Sequence, residues 1–342
     1  MKLVSIIVPL YKSEGFILET LQSVLAQTYS AFELIVIDDD SPDRSAAVVR
    51  QVGDPRIRLF SPRRHGGACR ARNFGIGQAR GELLAFIDHD DKWLPRKLEQ
   101  HVEHLSRSPE VGVSYGPSAF IDREGNRLGL YQLPKLRGVA ARDILCRNPI
   151  GNGSVPLLRR EVLEAVKLTA ERDGQLEDAY FDDEAAGWED VELWFRIAFK
   201  TCWRFEGIAE CLTLYRLAPG GISGDAEQKH AGFERGLERA RRYAPHFIAE
   251  HEHAARAYHL RYLARRLVAA RDGGAAVRFA HRAVTSYPSL FAEDAARTIA
   301  TLAAAYALRA LPSTLYARVE ELGKRTLGRH QQRNVSDPLE LR

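Results

Sequence analysis

The chain has 342 residues, 45% of them hydrophobic and 27% charged, with a formal net charge of +4; this is the make-up of a globular protein with an ample core, and it excludes a disordered or fibrous chain. Four cysteines, Cys69, Cys146, Cys202 and Cys211, show no CxxC spacing and no Cys/His cluster, so they are expected to stay reduced and to hold no zinc. The charge is uneven: residues 1–224 carry 29 Lys and Arg against 32 Asp and Glu, whereas residues 225–342 carry 20 against 13.

The first ninety residues alternate β-branched runs with helical patterns, the signature of a mostly parallel sheet with crossover helices, hence an α/β fold. Val4 to Val8, Phe32 to Ile37, Ile57 to Phe60 and Leu83 to Ile87 read as strands. Ile17, Leu21, Val24 and Leu25, and later the segment Ala68 to Ala79, read as helices between them. Residues 111–121 look like one further strand, 123–156 like a loop-rich stretch, and Asp190 to Lys200 like a helix with Val191, Trp194 and Phe195 on its apolar face. The acid-rich stretch from Glu171 to Glu184 reads as a solvated loop. From residue 225 the composition turns to Ala, Arg, Leu and His, with breaks at Gly273-Gly274, Pro288 and Pro312, so an all-helical extension is expected. Within it, residues 254–290 are similar to a single tetratricopeptide-like helix pair. The amino-terminal apolar stretch is too short and too strand-like for a secretory signal, and no run reaches the roughly 18 uncharged apolar residues of a spanning helix, so a cytoplasmic protein is expected. Its basic helical part could lie peripherally on an anionic membrane face; no nucleic-acid partner is expected.

Two acidic clusters follow predicted strands. Asp38-Asp39-Asp40 closes the second strand, at the carboxyl edge where open α/β sheets bind ligands, and its Asp-Ser-Pro-Asp continuation equally suits a turn and helix cap. Asp88-His89-Asp90-Asp91 closes the fourth; crowded carboxylates there are relieved by a hard cation, Mg2+ or Mn2+, which also grips phosphate. Glu189 and Asp190 open the later helix, where acids either cap or serve as a base.

The segments VSIIVPLYKSEGFILETLQSVLAQTYSAFELIVIDDDSPD, GGACRARNFGIGQARGELLAFIDHDDKWLP, GWEDVELWFR and LTLYRLAPGGIS, in that order, resemble the successive motifs of family 2 glycosyltransferases of the GT-A fold, over about residues 3–224. The resemblance implies an inverting hexosyl- or N-acetylhexosaminyltransferase with a GT-A domain at 1–224; the change of composition sets a basic helical domain at 225–342 after it. It places Pro9, Tyr11, Asp39, Arg72, Asp88 and Arg216 at the donor, Asp90 on the metal and Asp190 as catalytic base. The implied partners are a nucleotide-diphosphate sugar, a UDP-sugar above all, and a glycan or lipid-linked acceptor in bacterial surface polysaccharide assembly. The chain departs from the pattern at Asp40, where the family often has Gly, and at Leu217-Ala218, where a His often follows Tyr-Arg; the second departure leaves Arg216 as the cation for the diphosphate.

A nicotinamide dehydrogenase is excluded because the first strand runs into Pro9-Leu10-Tyr11-Lys12 without Gly-x-Gly-x-x-Gly, and a phosphate-loop NTPase because Gly323-Lys324 is followed by Arg325 among helices. The readings left beside a transferase of sugars are a nucleotidyltransferase and a non-catalytic scaffold.

Overall fold

The computed structural model describes residues 1–62, 66–172, 174–185, 187–217, 226–332 and 335–336. In chain order the first elements are β1 (Val4–Leu10), α1 (Ile17–Leu25), β2 (Phe32–Asp38), α2 (Ser45–Val52), β3 (Ile57–Phe60), α3 (Gly67–Gln78) and β4 (Leu83–Phe86). Then come β5 (Lys92–Trp93), α4 (Lys97–Arg107), β6 (Val111–Tyr115), β7 (Ser118–Ile121), β8 (Arg127–Gln132), α5 (Ala141–Arg147) and β9 (Leu157–Arg159). After α6 (Arg160–Glu164), the hairpin β10 (Leu168–Arg172) and β11 (Gln175–Ala179) leads to α7 (Glu189–Lys200), β12 (Arg204–Gly207) and β13 (Thr213–Arg216). Five helices follow: α8 (Ala226–Tyr243), α9 (Pro245–Ala269), α10 (Gly273–Ser286), α11 (Leu290–Ala310) and α12 (Ser313–Gln332).

The central sheet has the order β12-β6-β9-β4-β1-β2-β3. Every residue of β1 and β2 is buried, as expected of strands covered on both faces, whose sequences run apolar without alternation. β1 pairs in parallel with β2 and β4, and β2 with β3; β9 runs antiparallel between β4 and β6. α1 supports this sheet by burying Ile17, Leu21 and Val24. The mostly parallel α/β expectation therefore holds, with β9 as the reversed strand.

Three expectations are corrected. The single strand expected at 111–121 is two strands in different sheets: β6 stays in the central sheet and β7 joins a smaller one of order β5-β13-β7-β8. The switch falls at Gly116-Pro117, where proline cannot donate to a ladder. The loop-rich stretch 123–156 contains β8 and α5. The acid-rich stretch is largely the hairpin β10–β11, antiparallel from Leu168↔Ala179 to Arg172↔Gln175; residues 175–178 of β11 are exposed on both faces, which leaves the acids in water, so backbone pairing and solvation coexist.

The helical extension breaks where expected, at Gly273-Gly274, Pro288 and Pro312, with Asp272 capping α10 by accepting from Ala275 N–H; a further break, not expected, falls before Pro245, which occupies the first turn of α9. The helices share the core of the sheet. Trp188 meets Phe233 of α8 edge-on at 5.3 Å, Arg147 of α5 donates to the Tyr258 hydroxyl of α9 at 2.7 Å, and Gln331 of α12 exchanges hydrogen bonds with the Tyr131 backbone of β8. The expected boundary at residues 224–225 lies outside the described residues. Among the described residues no helix is long and apolar enough to cross a membrane.

Candidate active site

Parallel register brings three strand ends to one edge. Leu10 pairs with Asp38, and Ile7 with both Ile35 and Phe86, so the residues after β1, β2 and β4 emerge together, as ligand-binding edges of α/β sheets do. At the end of β1, the Pro9 carbonyl lies 3.3 Å from Nδ1 of His89, and the Lys12 ammonium sits 5.1 Å from the Tyr11 ring. At the end of β2, Asp39 is buried and its two oxygens accept from the Gly66 and Gly67 N–H groups at 2.8 Å each, tying the strand to the start of α3. Asp40 takes φ 61°, the left-handed conformation that glycine enters without steric cost; the Asp in place of Gly therefore keeps the turn.

The turn after β4 is built on Ser154. Its hydroxyl accepts from Asp88 N–H at 2.9 Å and donates to Asp91 at 2.5 Å. The other Asp91 oxygen accepts from Arg216 N–H at 2.9 Å. Asp91 is completely buried, and burial, Asp88 and Asp90 together hold its carboxyl well above the usual range. It belongs to the scaffold of the turn, which leaves Asp88 and Asp90 to face a ligand. Burial also raises the Asp90 carboxyl, with His89 pulling it down and Asp88 pushing it up.

Arg72 of α3 joins this turn to the start of α7. Arg72 is 5% exposed, and its guanidinium lies 2.8 Å from Asp88 and 3.7 Å from both Glu189 and Asp190. Nε and one terminal nitrogen of Arg72, and one oxygen of Asp190, are buried without a hydrogen-bond partner among the described residues. Burial pushes the Asp190 carboxyl up to about 7, against the pull of Arg72. The next residue, Asn73, holds the segment leading to α7: its side chain donates to Phe181 O and accepts from the N–H groups of Tyr180 and Phe181, at 2.8 to 2.9 Å. Two adjacent residues of one helix thus place the base candidate and charge-match it.

Arg216 sits elsewhere on the turn. Its side chain donates to the carbonyls of Asp90, Asp122 and Arg123 and to Glu19 at 2.9 Å, and lies 5.0 Å from the Phe16 ring. Four of its five N–H donors are thereby engaged among the described residues. The glycine-rich continuation that the sequence places beside it, residues 218–224, lies outside the described residues.

The family description Glycosyl transferase family 2 matches residues 5–167. A glucosyltransferase of Escherichia coli, "UDP-Glc:alpha-D-GlcNAc-diphosphoundecaprenol beta-1,3-glucosyltransferase WfaP", is 31% identical over 171 residues, 47% of this chain and 67% of that protein. The chain belongs to glycosyl transferase family 2. An uncharacterised family relative from Rickettsia conorii is 32% identical over 57% of this chain, which spans only 31% of that longer protein. The crystal structure of S. aureus TarS 1–349 in complex with UDP-GlcNAc superposes with a TM-score of 0.53 at 18% identity, over 97% of this chain and 92% of that one, a likeness of fold.

For a family 2 protein the metal expectation is testable on the donor set. Among the described residues no three His, Cys, Asp or Glu side chains converge as a cage. Burial and the neighbouring Asp88 charge instead make the ionised form of Asp90 costly at the end of β4, which suits a hard cation held by one or two carboxylates and completed by water and substrate phosphates. The residues fit such an ion.

Sequence reading missed Ser154, the Gly153 beside it, and the supports behind them. A Cβ on Gly153 would lie 3.4 Å from both Arg72 and Asp190. Trp93 Nε1 donates to Ser154 O at 2.9 Å and Lys97 Nζ to Val155 O at 2.7 Å; Lys97 is fully buried, and burial pushes its ammonium down to about 7. A single Ser between Gly and Val carries no local signal; a buried lysine on an apolar helix face is the one hint the sequence held.

Proposed function

We propose that this chain is an inverting, metal-dependent glycosyltransferase that takes a sugar from a nucleotide-diphosphate donor, a UDP-sugar, and passes it to a hydroxyl of a lipid-linked glycan acceptor in bacterial surface polysaccharide assembly. One observation carries this reading: Asp190, with a carboxyl near neutrality and an unbonded oxygen, faces the Asp88–Asp90 turn across Arg72. The activity for which the WfaP relative is named supports the choice of UDP and of a lipid-diphosphate acceptor. Residues 1–224 are proposed as the catalytic part and 225–342 as a helical part whose basic surplus contacts an anionic membrane face.

In the proposed reaction the acceptor oxygen attacks the anomeric carbon while the bond to the diphosphate breaks, so one displacement inverts that centre. Asp190 accepts the proton of the attacking hydroxyl. Asp90, with Asp88 beside it, would hold Mn2+ or Mg2+, which supplies positive charge to the departing diphosphate. Arg72 fixes Asp88 and Asp190 in one frame and keeps net charge from building between them. Pro9, Tyr11 and Asp39 border the donor's base and ribose. Arg216, matched by Glu19, anchors the turn and retains one donor for phosphate.

Calorimetry of a UDP-sugar with Mn2+ and with EDTA tests the donor half of the proposal. Chelation, or Asp90→Asn, is expected to weaken binding at least tenfold; equal affinities in all three samples would remove the metal from the reading.

A further inference from the structure

The helical part is not a remote appendage: its first two helices carry a pair of cations up to the active site. α8 and α9 are antiparallel, fixed by Phe233 stacking on His259 at 4.2 Å and by His230 on His259 at 5.7 Å. Phe233 also meets Trp188, two residues before Asp190. Lys229 lies one turn before Phe233 on the same face of α8, and Arg266 lies two turns after His259 on the same face of α9. Because the helices run in opposite directions, both steps lead the same way, and the two cations converge. Lys229 feels the Arg266 charge, and Arg266 in turn reaches Tyr215, the neighbour of Arg216 on β13: burial, Asp91 and Asp88 raise the Tyr215 hydroxyl while Arg266 opposes them. The pair therefore lies between the base side of the site and the acidic-turn side.

The charges of this pair are unmatched. Arg241 and Arg256, which bridge these two helices, meet Glu252 and Glu234, and Arg261 of α9 meets Asp294 of α11. Lys229 has no ion pair or hydrogen bond among the described residues; burial and then the Arg266 charge hold its ammonium below the ordinary lysine value. Arg266 has its Nε buried without a hydrogen-bond partner and its guanidinium 5.9 Å from the half-exposed Tyr262 ring. Two partly buried cations held together without an acid are an anion site, and the aromatic ring beside them offers an apolar surface to whatever carries that anion.

We infer that Lys229 and Arg266 bind the diphosphate of the acceptor, with Tyr262 against the first part of its lipid. The inference rests on the glycosyltransferase reading for the word acceptor, and it assigns the helical part a role in substrate recognition. The donor diphosphate is the weaker candidate, because its charge is met at the Asp88–Asp90 turn.

The test uses the full chain in EDTA, so that the acidic turn has no cation to recruit phosphate. Farnesyl diphosphate, farnesol, inorganic pyrophosphate, UDP and phosphatidylglycerol vesicles are titrated separately. Farnesyl diphosphate should bind more tightly than farnesol or pyrophosphate. Lys229→Ala and Arg266→Ala should each weaken it about tenfold, as expected for loss of a charge-assisted hydrogen bond, with UDP affinity in Mn2+ unchanged and the fold intact by circular dichroism. Unchanged farnesyl diphosphate affinity in both variants overturns the inference, as does its displacement by UDP in EDTA. Weakened vesicle binding with unaltered farnesyl diphosphate binding also overturns it, in favour of a phospholipid headgroup. Failure of UDP-sugar binding in Mn2+ would sink the glycosyltransferase reading instead, and would leave the anion site standing if the variants still lose farnesyl diphosphate.

Discussion

Asp190→Asn separates proton acceptance from binding, and its consequences can be worked out in both activity and stability. With a carboxyl at about 7, the wild-type side chain is about 10% ionised at pH 6 and about 90% at pH 8, so single-turnover transfer should rise roughly tenfold between them. The asparagine keeps the side chain's size but accepts no proton, so transfer should fall about 10²- to 10⁴-fold and lose this pH dependence, with donor affinity unchanged. Stability moves the other way. The carboxyl is raised in the folded state from 3.8 to about 7, so the folded protein holds its proton more tightly than the unfolded chain, and wild-type stability falls as pH rises from about 4 to 7. Removing the charge at pH 8 recovers at most about 4 kcal/mol. Solvent reaches 25% of the side chain, and screening reduces the expected gain to about 1–3 kcal/mol. Urea unfolding of both proteins at pH 5 and pH 8 measures it: the variant should be more stable at pH 8, and the gap should narrow at pH 5. A flat pH–rate profile, or a variant that transfers sugar normally, would show that Asp190 is not the base. Glu189, 3.7 Å from Arg72 on the same helix turn, would then be the next candidate.

Two further predictions concern what supports the site. Lys97→Met removes a buried ammonium held down to about 7; since the folded state disfavours its proton, the wild type gains stability as pH rises from 7 towards 10.5. The variant should therefore be more stable by about 1–3 kcal/mol at pH 6 after losing the Val155 hydrogen bond, with the advantage vanishing near pH 10 in chemical denaturation; a constant difference across pH would refute a charged Lys97. Gly236→Ala would place a Cβ 2.0 Å from the Trp188 ring, costing about 1–3 kcal/mol by overpacking and lowering transfer through the displaced start of α7. Full stability in thermal unfolding would contradict the seating of α8 on Trp188.

The strands β1, β2 and β4 were legible because each is a mostly apolar run whose burial on both faces is written along it, and the helical extension because its prolines and its Asp-Gly-Gly cap break the chain locally. The acidic ends of β2 and β4 were legible for the same reason: they are the first polar residues after a buried run. The division of labour within them was not. Asp88, Asp90 and Asp91 are equivalent in sequence, and only Ser154 and the Arg216 backbone, 63 and 125 residues away, commit Asp91 to the scaffold. The split of 111–121 between two sheets depends on which partner strands are already in place, and the hairpin at 168–179 on backbone bonds that its exposed acids do not announce. Residue types state what chemistry is available, whereas which carboxylate stays charged, which arginine is already matched and which lysine lacks a counter-ion are set by burial and by neighbours distant in the chain, quantities that exist only once the chain has folded.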